Sequence, residues 1–267
     1  MTIQTRTEVI ANEPAESLAA LLDIEQPGMG VLVPPLWHWT YLLDRRRQAE
    51  LGPDGHPSSG FPAPAAPGMR RMFAGGRVET HALLRIGAPA TRAVLVASTT
   101  EKRGRSGPLT FVTVRHEITQ DDQLCIVEEQ DIVYRAPGAG SLPVTDQSVS
   151  APVPVGLHLT LDVDETLLFR FSAVTWNAHR IHYDREWARH EGYDDLVVHG
   201  PLQALMMGEF LRRSGTDLVG REFAFRLVAP MVGPQPLVLA LDQSGQGAEA
   251  RDLTGRVTAT STTRPLP

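Results

Sequence analysis

Between Gly76 and Tyr134 the chain carries four successive segments rich in β-branched residues, at 77–84, 91–99, 109–118 and 124–134. Each alternates partly between apolar and polar positions, as a half-buried strand does. The intervening turns are short, at 102–107 and 120–122, and four strands so joined indicate an antiparallel sheet. Few folds tolerate that constraint, and the flanking sequence narrows them further.

Ahead of the strands, 14–23 reads as a helix, and 36–51 as a second in which Trp37, Tyr41 and Leu42 share one face. A loop dense in Pro, Gly and Ala follows at 52–69. Behind the strands, 135–156 is broken by Ala-Pro-Gly-Ala-Gly-Ser-Leu-Pro and by Pro152 and Pro154, and reads as a linker. The second half then opens with a strand at 167–172 and a polar, His-rich segment. Leu202, Leu205, Met206 and Phe210 are spaced for a buried helix, with Gly215 at its stop. Strands return at 222–229, 236–241 and 253–260. Each half is thus a helix followed by antiparallel strands, an α+β arrangement in which no sequence repeat links the halves.

At 267 residues, 42% of them apolar and 21% charged, the chain is a globular one long enough for two domains. Its net charge of -6 argues against nucleic acid or an anionic membrane as partner, while leaving room for a local basic pocket that holds a phosphate. Residues 1–12 lack the pattern of a signal peptide, and no run is long enough to span a membrane, so a cytoplasmic location is expected. The lone Cys125 excludes an intramolecular disulfide and reads as an inert core residue.

The chemistry concentrates at Thr175-Trp176-Asn177-Ala178-His179-Arg180-Ile181-His182-Tyr183-Asp184 and at Val198-His199-Gly200-Pro201-Leu202. His179, His182 and Asp184 as metal ligands would need a diagnostic spacing that the segment lacks, and no metal is expected. The same histidines can also be read as hydrogen-bonded loop residues. Acid–base work asks less: a neutral His can take a proton from water and return it. Asn177 could hold that water, and the backbone N–H of Gly200, at a helix N-terminus, could receive a developing negative charge on oxygen.

This segment resembles the hydratase motif of MaoC-like hot-dog enzymes, in which a Gly-Asp-x-Asn-Pro-x-His core is followed by Gly-Phe/Tyr and by a His-Gly opening the central helix. On that pattern Asn177 takes the place of the catalytic Asp, His182 that of the catalytic His, and Gly200 that of the oxyanion glycine. Asn177 cannot act as a base, so the proton work falls on His182. His179 and Arg180 replace the Asn-Pro pair. These departures look like a narrower branch, the mesaconyl-C4-CoA and itaconyl-CoA hydratases and related hydroxyacyl-thioester dehydratases. That branch also has features seen here at Pro34-Pro35-Leu36-Trp37-His38-Trp39, Met72-Phe73-Ala74-Gly75-Gly76-Arg77 and Glu128-Glu129-Gln130-Asp131.

The resemblance implies a double hot dog, two antiparallel sheets each wrapping a central helix, with residues 1–140 lining the substrate tunnel and 157–267 carrying the motif. It implies reversible hydration of an enoyl-type acyl-CoA, a short branched dicarboxylic one such as mesaconyl-C4-CoA or itaconyl-CoA giving citramalyl-CoA. Coenzyme A is then part of the substrate, with no separate cofactor, and a homodimer is compatible. A 3-hydroxyacyl-thioester dehydratase, a hot-dog thioesterase and an acyl-CoA binding module are the alternatives. The substrate contacts to examine are Arg180, against a substrate carboxylate or against Asp184; His179 and His199; Trp37 and Trp39, in the acyl pocket or in the core; and Arg77, with Arg70 and Arg71, toward phosphate.

Overall fold

The structure, a computed structural model, describes residues 3–24, 32–60, 69–104, 107–135 and 156–267. In the first half β1 (Gln4–Val9) leads into α1 (Glu13–Leu21), followed by β2 (Arg70–Thr80), β3 (Pro89–Gly104), β4 (Gly107–Gln120) and β5 (Gln123–Arg135). The second half contains β6 (His158–Val163), α2 (Glu165–Val174), α3 (Arg185–His190), α4 (Gly200–Arg213), β7 (Arg221–Leu227), β8 (Gln235–Leu241), β9 (Ala248–Arg251) and β10 (Val257–Pro265). Most of the 135–156 segment read as a linker, and residues 61–68 of the 52–69 loop, lie outside the described residues.

The four consecutive strands expected in the first half are present and antiparallel, each longer than its apolar pattern indicates. Where the sequence suggests two sheets, the structure has one of ten strands, in the order β1-β3-β4-β5-β2-β7-β10-β9-β8-β6. The join is β2 against β7, with Gly75 opposite Arg226 and Thr80 opposite Arg221. Pairing these two strands satisfies backbone groups that an open edge would leave bare. Gly75 and Gly76 belong to this join: a Cβ on Gly75 would meet the Phe225 carbonyl oxygen at 2.4 Å, and one on Gly76 that of Glu129 at 2.4 Å. The Gly-Gly pair is there for backbone approach.

The central helix is α4, which lies across β7, β8, β9 and β10. It is buried on every side from Leu202 to Leu211, Gln203 and Glu209 included. Buried polar groups need partners. Glu209 takes the indole N–H of Trp37 at 2.7 Å and Arg212 at 2.6 Å, and Gln203 accepts from Thr258 at 2.7 Å. Cys125 is buried in the core, and burial pushes its thiol pKa up.

Three local expectations are corrected. The segment 167–172 is helical, within α2, because the Asp164 carboxylate caps the Leu167 N–H at 2.7 Å and so places Leu167, Leu168 and Phe171 on one helical face. Segment 36–51 is not a helix but two single 3-10 turns, Trp37–Thr40 and Gln48–Glu50, since Leu36 and Leu42 adopt left-handed backbone (φ 70° and 54°). Segment 253–260 is a hairpin turn plus β10, where Asp252 accepts from the backbone of Thr254 and Arg256. Among the described residues no helix is long and apolar enough to cross a membrane.

Candidate active site

A cavity of about 740 Å³ is lined by residues of both halves. The motif segment reaches it through a sharp local turn. Helix α2 ends at Val174, Trp176 adopts left-handed backbone (φ 54°), and the Asn177 N–H donates back to the Ser172 carbonyl at 2.8 Å. The Asn177 Oδ1 accepts the His179 N–H at 3.0 Å, which leaves its Nδ2 without a partner among the described residues. A 3-10 turn, Arg180–His182, then presents His182.

His182 has a fixed tautomer. Its Nδ1 lies 2.7 Å from the Val197 carbonyl oxygen, which can only accept, so Nδ1 carries the proton and Nε2 offers a lone pair. Burial, with the adjacent His179, pushes its pKa down to about 3. A neutral, pre-oriented base therefore lines the cavity near neutral pH. Behind it His199 stacks at 3.6 Å between ring centroids, fully buried, with Nε2 bonded to the Ser172 hydroxyl at 2.9 Å. His199 occupies the N-cap position of α4 but makes no side-chain cap bond and does not line the cavity. Its contacts make it a support for the His182 ring.

Gly200 lines the cavity at the first turn of α4, and its N–H has no acceptor among the described residues. A Cβ there would come within 2.2 Å of Leu227 Cδ1, so glycine lets the helix N-terminus press against β7. The free N–H and the helix dipole together favour negative charge at this point.

Of the remaining sequence-derived candidates, the structure brings His179, Trp39, Arg70 and Arg71 to the cavity and leaves Arg180, His199, Trp37 and Arg77 out. Arg180 is committed elsewhere: Nε and Nη2 bind Asp184, Nη1 donates to the Pro53 carbonyl at 3.0 Å, and the guanidinium lies 4.2 Å over Trp187. It rivets the motif to the 52–57 loop. Trp37 is fully buried in the core beside Glu209. Arg77 pairs with Glu129 away from the cavity.

Several residues of the site carry no sequence signal of their own. Asp54 and His56 come from the Pro/Gly-rich loop, with His56 Nδ1 at 3.0 Å from Asp54 and its ring 4.1 Å from His179. A Cβ at Gly55 would meet the Ala178 carbonyl oxygen at 1.8 Å, so only glycine lets this loop lie so close. His179 Nε2 in turn contacts Glu191 at 3.3 Å. Asp54, His56 and His179 are, among the described residues, the group close enough to share a cation, with donor atoms within 4.8 Å of one another. As they stand they form a hydrogen-bonded Asp–His pair packed on a second imidazole. Also lining the cavity, buried Glu128 accepts from His38, Trp39 and Gln130 at 3.2, 2.8 and 2.8 Å. Burial alone would raise its pKa, but these bonds, His38 foremost, bring it down to about 2.

Comparison with known proteins shows the family and the fold. The sequence model of the family Hydroxyacyl-thioester dehydratase type 2 matches residues 36–233. The chain is 47% identical over 248 residues to mesaconyl-C(4)-CoA hydratase of Chloroflexus aurantiacus, covering 90% of this chain and 88% of that protein. Among solved structures it superposes on HtdX of Mycobacterium tuberculosis with a TM-score of 0.69 at 15% identity, covering 98% of this chain and all of that one. A second M. tuberculosis protein, described as a double hot-dog fold, gives a TM-score of 0.58 at 12% identity over 99% of this chain and 95% of its own. The fold is that of a double hot dog.

Proposed function

The chain belongs to the hydroxyacyl-thioester dehydratase type 2 family, and from that premise we propose that it hydrates a short branched dicarboxylic enoyl-CoA of the mesaconyl-C4-CoA kind, giving citramalyl-CoA, and runs the reverse dehydration. It is a hydro-lyase. The 47% identity to a mesaconyl-C(4)-CoA hydratase over most of both chains supports the substrate class. Coenzyme A enters as part of the substrate, and no step calls for another cofactor.

One observation carries the mechanism: a neutral imidazole, its Nδ1 tied to the Val197 carbonyl, shares a cavity with the bare N-terminus of a buried helix. In this reading His182 Nε2 takes a proton from water as the water oxygen bonds to the β-carbon. The displaced electron pair moves through the α-carbon onto the thioester oxygen, where the Gly200 N–H stabilises it. The electron pair then returns to the α-carbon, which takes the proton back from His182 Nε2 and leaves the imidazole neutral. Asn177, whose Oδ1 is already occupied by the His179 N–H, works through its Nδ2, donating to the water oxygen and leaving the other lone pair free to attack.

The test is a hydration assay on mesaconyl-C4-CoA with wild type and His182→Ala. The variant should lose about 10²- to 10⁴-fold in kcat, the usual weight of one positioned base, with a retained circular-dichroism spectrum. Near-normal turnover in the variant would remove His182 from the chemistry. Release of free thiol in place of hydrated product would make the enzyme a thioesterase instead.

A further inference from the structure

Strands β2 and β5 place Arg70 directly opposite Arg135, and Arg71, the next residue, opposite Tyr134. All three arginines line the cavity. None has a carboxylate within salt-bridge distance among the described residues, and of the acids that line the cavity Asp44 is paired with Arg46, Glu128 with His38, and Glu191 with His179 and Trp187. The Nε of Arg135 is buried with no hydrogen-bond partner among the described residues. Like charges directly opposed across a ladder destabilise a sheet, and a desolvated guanidinium without an anion costs more still. Arg77, on the same strand, is paired with Glu129, and Arg115 with Glu117 and Glu129, while Arg92, also lining the cavity, likewise has a buried Nε with no hydrogen-bond partner among the described residues.

The cluster also stands close to the motif. A Cβ built on Gly192 would lie 3.8 Å from Arg70 Nη1, and Gly192 follows Glu191, the partner of His179. His179 lies 5.5 Å from His182, ring to ring. Arg71 is desolvated in the wall near His56 and Asp54, which lowers its pKa. The first half therefore carries two opposed guanidinium groups and a third beside them, facing the cavity that holds the base.

We propose that Arg70, Arg71 and Arg135 form an anion subsite that binds an oxyanion of the substrate by bidentate guanidinium contacts. Planar, delocalised carboxylate or phosphate oxygens match this fork geometry. The inference rests on the acyl-thioester reading above, and two groups of such a substrate offer the chemistry: the free carboxylate of a dicarboxylic acyl chain and the phosphates of coenzyme A. It transfers to the first half the role that the sequence assigns to Arg180.

The experiment compares wild type, Arg71→Met and the double variant Arg70→Met/Arg135→Met on four thioesters: mesaconyl-C4-CoA, crotonyl-CoA, and the N-acetylcysteamine thioesters of both acyl groups. Losing a charge-assisted contact should lower kcat/KM by about 10- to 100-fold, expressed mainly in KM, for those substrates that carry the recognised anion. A loss that follows the mesaconyl group on either carrier places the acyl carboxylate in the subsite. A loss that follows coenzyme A with either acyl group places a phosphate there. Equal losses on all four, or none, would overturn the proposal. Ligand-free stability supplies a readout that a structural role would not give: removing mutually repelling arginines should leave Tm unchanged or raise it, whereas a fall of several degrees marks them as structural and counts against the subsite. If the wild type hydrates none of the four, the functional reading fails by itself. The subsite is then judged by calorimetry with free coenzyme A and free mesaconate, where wild-type binding weakened in the double variant supports it and no binding of either overturns it.

Discussion

Lowering the pH from 7.5 to 5 should remove most of this protein's conformational stability through four imidazoles. His56 and His116 have pKa values pushed down to about 4 and His182 to about 3, each by burial first, and burial holds His199 well below the usual range. In the unfolded chain each titrates near 6.5. A depressed folded-state pKa means that the unfolded state binds the proton first. The stabilisation is complete above pH 6.5 and is lost progressively as pH falls from there toward 3–4. At pH 5 His56, His116 and His182 each contribute a loss of about 2 kcal/mol, a value set almost entirely by the 6.5 of the unfolded state. These three together approach ~6 kcal/mol, with His199 adding in the same direction, against a total of roughly 5–15 kcal/mol for a folded domain. Carboxylates do not mask the effect: Glu128 and Asp54 are held near 2, and their unfolded counterparts titrate at about 4, so their contribution is nearly constant over this interval. Urea unfolding followed by circular dichroism at pH 7.5, 6.5, 5.5 and 5.0 measures the slope, and His116→Gln should flatten it by about one site's share. A free energy of unfolding that changes by under ~2 kcal/mol across the series would refute the reasoning, as would ring protons of these four histidines titrating near 6.5 in the folded protein.

Gly200→Ala should cost about 10²- to 10³-fold in kcat, since the new methyl must displace Leu227 or the helix start that carries the oxyanion donor. Adding Leu227→Ala should recover part of the loss, and full activity in the single variant would end the assignment. Arg180→Met should loosen the 52–57 loop, lower Tm by a few degrees and depress turnover alike on dicarboxylic and plain enoyl-CoA, because its contacts are Asp184, the Pro53 carbonyl and Trp187; a loss confined to dicarboxylic substrates would return it to the substrate carboxylate. Asn177→Asp should impair mesaconyl-C4-CoA more than crotonyl-CoA in steady-state kinetics, and equal effects would show that charge at this position is immaterial.

The motif segment is legible because its geometry is local. Asn177, His179, His182 and Gly200 fall within one short stretch, and Pro201 with the spacing of Leu202, Leu205, Met206 and Phe210 marks the helix that ends it. Non-local packing is not legible in this way. The β2–β7 join depends on two distant strands finding each other, and the partner of Gly55 is a carbonyl more than a hundred positions away. Arg180 is an instructive case: the sequence offers Asp184 at i+4 as one partner and a substrate carboxylate as another, but only the fold places the Pro53 carbonyl where it decides between them. The misread strand at 167–172 fails for a different reason. A short apolar run has no periodicity to tell strand from helix, and the cap Asp164 was the available signal.

The charges around the cavity bear on why position 177 is an asparagine. A substrate whose β-carbon carries a carboxylate brings that charge to within a few Å of whatever holds the attacking water. An aspartate there would oppose it by about 4 kcal/mol at 4 Å in an effective dielectric of 20, enough to cost some three orders of magnitude in binding. Asparagine removes the repulsion and keeps a donor on the water, at the expense of a second base. His182 can bear the proton work alone because Val197 fixes its tautomer and burial keeps it neutral. The positive charge that such a substrate calls for then has to come from outside the motif, and the arginines of β2 and β5 proposed above as an anion subsite are placed to supply it from the first half. On this argument Asn177 and the arginine cluster are two parts of one adaptation, so Asn177→Asp and Arg70→Met/Arg135→Met should shift the preference between dicarboxylic and plain enoyl substrates in the same direction.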